Sequence, residues 1–169
     1  MFRYLILFSF LLTNNVMAEI ISTDLINHAN NTPREIQKDH IELSSFLSET
    51  CKNETEKILI FSYWIAKRIK YDIKEVKKND RNKIAREVLS NRKAVCGGYS
   101  NLFKQFCDNE NIICYKISGY AWGNIFKRTF SKKQLAHAWN IVYVDGKWKC
   151  VDVTWSSTTV KDSQFNKDY

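Results

Sequence analysis

Apolar residues recur at helical spacing through the first two thirds of the chain and alternate with polar residues in the last third. A run that starts at Thr32-Pro33-Glu35 and continues through Leu43 and Leu47 predicts a helix that ends near Thr50. A second helix is predicted to begin at Asn53, and its apolar stripe consists of Ile58, Phe61, Ile65 and Ile69.

Two further helices follow in the pattern. The third is predicted from about Asp80 to Asn91, with a buried face made of Ile84, Ala85, Val88 and Leu89. The fourth is predicted to begin at Cys96 and to stop at Asn109 to Asn111, and it buries Tyr99, Leu102, Phe103 and Phe106.

Three strands are predicted after the helices, at Ile112 to Tyr120, His137 to Val144 and Lys147 to Thr154. Asp145-Gly146 predicts a tight two-residue turn between the last two strands. In that register Val144 pairs with Lys147 and His137 lies opposite Thr154. Asp152 becomes a diagonal neighbour of His137 on the same face, within reach of a side-chain contact.

The size and composition fit one folded domain of 169 residues, with 44% hydrophobic residues and one proline. Residues 1–18 are predicted to be a separate secretory signal. They contain Arg3, an apolar run from Tyr4 to Leu12, and small residues at Val16 and Ala18. The alternative is an uncleaved anchor or a buried helix, but the run is about half of the roughly 20 residues that span a bilayer. Cleavage after Ala18 would place the mature chain outside the cytoplasm.

The chain is basic, with a formal net charge of +8, which becomes +7 when Arg3 is removed. Much of the excess lies between Lys67 and Lys93. Such a segment is typical of a solvated helix face, and the alternative is attraction to an anionic surface or polymer. Nucleic acid is not an expected partner, because the chain lacks zinc-ligand spacing and RNA-binding motifs. The oligomeric state cannot be inferred from the sequence.

The five cysteines form an odd set, so in an oxidising compartment at least one stays free or pairs between chains. Apart from Cys96, the sequence leaves two arrangements open, two disulfides or buried free thiols, for Cys51, Cys107, Cys114 and Cys150. No metal site and no cofactor are expected, because even the nearest pair, Cys107 and Cys114, lacks zinc-ligand spacing.

Cys96, His137 and Asp152 are the candidate catalytic residues. A cysteine at a helix amino terminus has a lowered pKa, and Gly97 lets the backbone approach it closely, so that the helix amides could form an oxyanion hole. His137 would take the thiol proton, and Asp152 would hold the other ring nitrogen. His28 and His40 are interpreted as incidental.

Three blocks carry a resemblance to a known family, residues 93–100 (KAVCGGYS), 137–140 (HAWN) and 148–155 (WKCVDVTW). They resemble transglutaminase-like domains of the cytokinesis and kyphoscoliosis-peptidase branch, and residues 64–65 and 69–72 extend the similarity upstream. The resemblance implies an α+β, papain-like fold with helices followed by an antiparallel sheet. It divides the chain into the signal, an amino-terminal helical region at 19–54 and a catalytic domain at 55–169.

The match has two departures. Family members often have glycine where Ala94 stands, and they commonly continue further past the aspartate than Tyr169, so we expect a minimal or truncated domain. Trp139, Trp155 and Tyr120 are candidate wall residues of the site, although aromatic residues in such positions are more often part of the core.

The resemblance implies acyl transfer from a peptide or amide substrate through a thioester on Cys96, with water as the expected acceptor. Alternatives are a protein-crosslinking transglutaminase, which uses an amine as acceptor, and a cell-wall amidopeptidase. An exported binding module with a vestigial site and a basic face is an alternative of another class. Arylamine acetyltransferases share the order of the three residues but match the blocks less well.

Overall fold

The computed structural model describes residues 21–72, 83–122 and 134–157. The helices are α1 (Thr23–Asn30), α2 (His40–Ser48), α3 (Glu54–Arg68), α4 (Ala85–Asn91) and α5 (Cys96–Asn109), with a short 3-10 turn at Ile36–Lys38. The strands are β1 (Lys70–Tyr71), β2 (Lys93–Ala94), β3 (Cys114–Trp122), β4 (Gln134–Val144) and β5 (Lys147–Val151). The predicted α+β order of helices followed by an antiparallel sheet is confirmed.

The amino-terminal helices differ from the predicted one. Thr32 does not begin a helix, because its hydroxyl donates to the carbonyl of Ala29 at 2.7 Å and accepts from the Trp64 indole at 3.1 Å. The helix begins seven residues later, where Asp39 accepts from the backbone amides of Ile41 and Glu42. The predicted start at Thr32 is therefore wrong, and the true cap is an aspartate that satisfies two free amides.

The second predicted helix is confirmed as α3, capped by Asn53 through a 2.9 Å bond from the Glu56 amide. The third is shorter than predicted, since α4 starts at Ala85, and residues 80–82 lie outside the described ranges. Ile84 precedes α4 and is 60% exposed, so its predicted burial is wrong. Ala85, Val88 and Leu89 are buried as predicted.

Helix α5 is the centre of the core and begins at Cys96 as predicted. It contacts helices α2, α3 and α4 and strands β2, β3 and β4. The four side chains predicted to be buried, Tyr99, Leu102, Phe103 and Phe106, have no exposed surface. These contacts on several sides position α5, and with it Cys96 at its start.

A two-stranded parallel ladder, which the sequence did not predict, holds the segment just before α5. Lys70 pairs with Lys93, and Tyr71 pairs with Ala94. The Tyr99 hydroxyl also donates to the carbonyl of Ile69 at 2.7 Å inside the core. These bonds connect the end of α3 to both sides of Cys96 and fix where α5 starts.

The second sheet has the antiparallel order β3-β4-β5. The predicted hairpin register is confirmed, since Val144 pairs with Lys147 and Asn140 with Val151. Asp145 and Gly146 form the turn with φ of 54° and 71°. The predicted strand to Thr154 is wrong, because pairing stops at Val151 and residues 153–157 are helical.

The two faces of β4 have different surroundings. Ala138, Asn140, Val142 and Val144 are buried, whereas Tyr143 on the other face is exposed. Since α5 contacts β4 and the Asn140 side chain reaches the α5 backbone, the buried face is the one that covers the helix.

Among the helices of the described ranges, none is long and apolar enough to span a membrane.

Candidate active site

Cys96 is the first residue of α5, and its side chain is 7% exposed. Val95 caps the helix without a side-chain hydrogen bond, and its carbonyl accepts from the amides of Gly98 and Tyr99. The backbone amide of Gly97 donates to the Cys96 sulfur, and so does that of Ala138 on β4. The thiol therefore lies where the helix start meets the second sheet, beside two amides that favour negative charge.

His137 lies on β4 opposite Gly119 of β3 and is buried. Its Nε2 is 2.6 Å from the Oδ2 of Asp152. The imidazole is also hydrogen-bonded to Cys96. Because Asp152 occupies Nε2, the ring nitrogen left for the thiol is Nδ1, and the structure brings together all three residues that the sequence singled out.

Asp152 reaches His137 from the end of β5 rather than from within a strand. Its other oxygen, Oδ1, accepts from the Trp155 amide at 3.1 Å, and its carbonyl accepts from the Ser156 amide. Asp152 thus caps the helical segment 153–157, which explains why the strand stops at Val151. The cap fixes the carboxylate while leaving Oδ2 for the imidazole.

The electrostatics of Cys96 favour the thiolate. Burial raises the pKa of this thiol, but the hydrogen bond and charge of His137, together with the amides of Ala138 and Gly97, bring it below the usual value. Burial lowers the pKa of His137, and the hydrogen bonds and charges of Asp152 and Cys96 raise it to about 9. Both shifts favour a thiolate and imidazolium pair near neutral pH.

Two of the predicted wall residues lie beside the imidazole. The ring centroids of His137 and Trp139 are 6.0 Å apart, and those of His137 and Trp155 are 5.7 Å apart. Gly97 supplies the amide described above. Tyr120 has a 71% exposed side chain on β3. The rings of Trp139 and Trp155 limit solvent around His137, which strengthens its interaction with Asp152.

Two polar residues near the site were missed by the sequence analysis. The ammonium of Lys116 donates to Asn101 of α5 at 2.9 Å, and its charge interacts with that of Cys96. Asn140 is fully buried and donates to the carbonyl of Ser100 at 3.1 Å. Both residues lie at strand positions where alternation places the side chain on the inward face of the sheet. A polar residue at such a position is the sequence signal that could have identified them.

The basic segment 67–93 is described except for residues 73–82. Arg68 donates to the carbonyl of Asn30, and Arg92 donates to the carbonyl and side chain of Gln37. Arg92 also lies over the Trp64 ring at 5.1 Å. Two arginines of the basic segment therefore serve internal packing.

No group of three or more side chains suited to a metal occurs in the part of the chain that the structure describes.

The model of the Transglutaminase-like superfamily matches residues 41–153. Kyphoscoliosis peptidase of Mus musculus is 33% identical over 122 residues, which cover 70% of this chain and 18% of that protein. The Homo sapiens protein of that name is 34% identical over 122 residues, with the same coverage. The chain thus spans less than a fifth of the length of these relatives.

Two solved structures share the fold. A candidate cysteine protease from Cytophaga hutchinsonii has a TM-score of 0.55 and 23% identity, and the match covers 79% of this chain and 43% of that one. A candidate protease from Parabacteroides distasonis has a TM-score of 0.51 and 16% identity, and the match covers 76% of this chain and 25% of that one. At these identities the likeness concerns the fold.

Proposed function

The chain belongs to the transglutaminase-like superfamily, and from this premise we propose that it is an exported cysteine-dependent acyl-transfer enzyme that hydrolyses peptide or amide bonds. The observation that carries the proposal is the contact chain from Cys96 through His137 to Asp152. A merely packed histidine needs neither a half-buried carboxylate partner at 2.6 Å nor a hydrogen bond to a thiol.

The reaction begins with the thiolate of Cys96, which attacks the carbonyl carbon of the amide. The negative charge that develops on the carbonyl oxygen needs hydrogen-bond donors, and the backbone amide of Cys96, the first of α5, is the proposed donor. His137 in its imidazolium form then gives its proton to the leaving amine, and a thioester remains on Cys96. Asp152 keeps the ring oriented and stabilises its positive charge through the reaction.

In the second half of the reaction, His137 is neutral and accepts a proton from water. The resulting hydroxide attacks the thioester, Cys96 leaves as a thiolate, and the carboxylic acid product departs. A primary amine in place of water would give a crosslinked amide through the same thioester. Water is the proposed acceptor, and the acceptor is tested directly below.

The first experiment traps the thioester. The purified protein is incubated with a library of acyl-activated peptides, and intact mass is compared with that of Cys96→Ala. Cys150→Ala is the matched control, because Cys150 is exposed whereas Cys96 is buried. We expect acyl adducts and turnover for the wild type and Cys150→Ala, and neither for Cys96→Ala. Retained turnover in Cys96→Ala would exclude the proposed nucleophile.

The acceptor is determined with the peptides that form adducts, incubated with and without a primary alkylamine. Free acid as the main product supports hydrolysis, whereas an alkylamide as the main product identifies a crosslinking enzyme. A vestigial binding module is distinguished by iodoacetamide labelling of the folded protein. That alternative predicts slow labelling of Cys96 that does not change in His137→Ala.

Export is a separate part of the proposal, motivated by the apolar run and the small residues before Glu19. Residues 1–20 lie outside the described ranges. Expression of the full chain in a bacterium, followed by fractionation and intact mass of the product, tests it. A product beginning near Glu19 in the exported fraction is the expected result, and a full-length product retained in the cytoplasm would contradict it.

A further inference from the structure

The side of the sheet that α5 covers continues past the start of the helix. Helix α5 contacts β3 and runs in the opposite direction, because the Ile112 amide donates to the Cys107 carbonyl at 2.8 Å and the chain turns back into β3 at Cys114. Cys96 at the other end of α5 therefore lies towards the far end of β3, where Tyr120 is located.

One hydrogen bond shows how far α5 extends along the sheet. Asn140 of β4 donates to the Ser100 carbonyl at 3.1 Å. Cys96 precedes Ser100 by four residues, or about 6 Å of helix, which equals the rise of about two residues in a strand. The start of α5 is therefore about level with Ala138, two residues before Asn140. The hydrogen bond between Cys96 and His137, the neighbour of Ala138, agrees with this level.

Burial on this side of the sheet changes at the same level. On β4, Ala138 is buried and Ala136 is exposed. On β3, Cys114 is buried, whereas Ser118 and Tyr120 are exposed, Tyr120 at 71%. Side chains at every second position of a strand share a face, so these residues continue the face that α5 covers. The exposed residues Ser118, Tyr120 and Ala136, here called the β3-β4 shelf, lie just beyond the helix.

The β3-β4 shelf consists of one large side chain beside small ones. Tyr120 pairs with Ala136 on β4, whose methyl group leaves space next to the ring. Gly119 separates Ser118 from Tyr120, and a Cβ there would lie 2.8 Å from the ring of Trp139. Since Gly119 faces the opposite side of the sheet, Trp139 packs against the back of this strand and supports the shelf.

We propose that the β3-β4 shelf binds an apolar or aromatic side chain of the substrate, and that Tyr120 determines this preference. The inference rests on the proposed acyl transfer at Cys96, and it adds the class of peptide that is attacked. Because α5 occupies the sheet on one side of the thiol, a peptide at Cys96 extends over the open side, where the shelf lies.

The distances place this side chain close to the scissile bond. Tyr120 is a diagonal neighbour of Ala138 across the β3-β4 ladder, a relationship that corresponds to about 7–8 Å. The reacting carbonyl lies about 3–3.5 Å from the attacking sulfur, and an extended peptide covers about 3.3–3.6 Å per residue. The side chain that contacts Tyr120 is therefore expected within two residues of the bond that Cys96 attacks.

The composition of the shelf favours apolar substrate residues. A leucine or phenylalanine side chain on the Tyr120 ring removes apolar surface of both partners from water, and an aromatic side chain also stacks on the ring. None of the three shelf residues is an aspartate, glutamate, lysine, arginine or histidine, so the shelf provides no ion pair for an acidic or basic substrate side chain.

The test measures kcat and KM of the wild type and Tyr120→Ala with short peptide amides. The peptides place phenylalanine, leucine, alanine or aspartate at each of the two positions on either side of the scissile bond. We expect the wild type to prefer phenylalanine or leucine over alanine by about tenfold in kcat/KM at one of these positions. Tyr120→Ala should lose this preference, chiefly through a higher KM for the phenylalanine and leucine peptides. Tyr120→Phe keeps the ring and should keep the preference.

Tyr115→Ala is the matched control. Tyr115 is also an exposed tyrosine of β3, but it lies an odd number of residues from Tyr120 and therefore on the other face, where its ring centroid is 5.8 Å from that of Trp148. This variant should keep the wild-type preference. An unchanged preference in Tyr120→Ala, or an equal loss in Tyr115→Ala, would overturn the proposal.

Binding without reaction separates this inference from the proposed acyl transfer. Fluorescently labelled peptides of the same set are titrated with Cys96→Ala and with Cys96→Ala/Tyr120→Ala, and fluorescence anisotropy gives the affinities. Tighter binding of the phenylalanine and leucine peptides by Cys96→Ala, lost in the double variant, supports the shelf even where the wild type shows no turnover, a result that would count against the reaction alone. Turnover by the wild type with affinities that do not depend on Tyr120 would overturn the shelf and leave the reaction intact.

Discussion

The imidazole of His137 is held from both sides, with the Asp152 carboxylate 2.6 Å from Nε2 and the Cys96 thiol hydrogen-bonded to the ring. Asp152 is itself fixed, because its second oxygen accepts from the Trp155 amide. The order of contacts is therefore carboxylate, imidazole, thiol, and each member restricts the next. This arrangement leads to three predictions about the site, and the packing around α5 leads to two more.

Replacement of Asp152 by asparagine should strongly reduce activity while leaving the fold intact. Asparagine has nearly the same shape and can still accept from the Trp155 amide, but it removes the charge that stabilises imidazolium. We expect kcat to fall on the order of 10²–10⁴-fold, as for carboxylates in similar triads. Steady-state kinetics with a substrate from the trapping experiment measures this loss, and the melting temperature reports on folding.

Asp145→Asn is the matched control for Asp152→Asn. Asp145 is an exposed carboxylate in the hairpin turn, and it pairs with Lys149 at 2.8 Å. Its replacement should therefore leave kcat unchanged. Equal activity of the two variants would contradict the role of Asp152 as the orienting acid.

The pH dependence of Cys96 reactivity should show the coupling to His137. Since the imidazolium lowers the pKa of the thiol, alkylation of Cys96 should persist at pH values below those at which an ordinary thiol reacts. His137→Ala removes the hydrogen bond and the charge, so the midpoint of the alkylation profile should move to higher pH. Rapid alkylation over pH 5 to 10, with peptide mapping of Cys96, measures the shift.

The same pair sets the alkaline limit of activity. As pH rises through about 9, the value to which the pKa of His137 is raised, the imidazolium loses the proton that the leaving amine needs. The kcat/KM profile should therefore be bell-shaped, falling on the acid side as the thiolate is protonated and on the alkaline side above about pH 9. A flat profile above pH 9 would argue against His137 as the general acid.

Tyr99→Phe should destabilise the protein by removing one buried hydrogen bond. The Tyr99 hydroxyl donates to the Ile69 carbonyl at 2.7 Å, and neither group is exposed to water. An unsatisfied buried acceptor costs about 1–3 kcal/mol, which corresponds to a melting temperature lower by roughly 2–10 °C. Tyr143→Phe is the control, because the Tyr143 side chain is exposed, and differential scanning calorimetry should show almost no change for it.

Gly98→Ala should destabilise the start of α5 through a steric clash. A Cβ at this position would lie 2.7 Å from the Cβ of Ala94 and 3.2 Å from Val88. Overpacking of this kind costs about 1–3 kcal/mol, because β2 must move away. The double variant Gly98→Ala/Ala94→Gly removes the nearer methyl group and should recover part of the loss. Chemical denaturation measures both, and absence of recovery would show that Ala94 is not the obstacle.

Several features of this protein followed from local sequence alone. Asn53 caps α3, Cys96 begins α5, and Asp145-Gly146 forms the hairpin turn as predicted. These features depend on backbone groups and side chains only a few residues apart, so short-range patterns contain the information. The resemblance also gave the family and the fold, and its three blocks contain Cys96, His137 and Asp152, which the structure brings together.

Other features depended on contacts between distant parts of the chain. Thr32 had the pattern of a helix cap, but the indole of Trp64 and the carbonyl of Ala29 use its hydroxyl instead. The predicted strand through Thr154 gave way to a helical segment capped by Asp152, whose position is set by His137 as well as by its own neighbours. Local propensity could not decide between these alternatives, because the competing partners lie elsewhere in sequence.

The sequence by itself thus indicated the three residues of the candidate site and the local elements that carry them. Only the tertiary structure decided that Asp152 binds Nε2 from the end of β5 and that the charge of Lys116 acts on the Cys96 thiol. The physical reason is that hydrogen bonds and charges act over a few ångströms. Which groups come within that distance depends on how α5 packs against the sheet, and the spacing of residues along the chain does not contain that information.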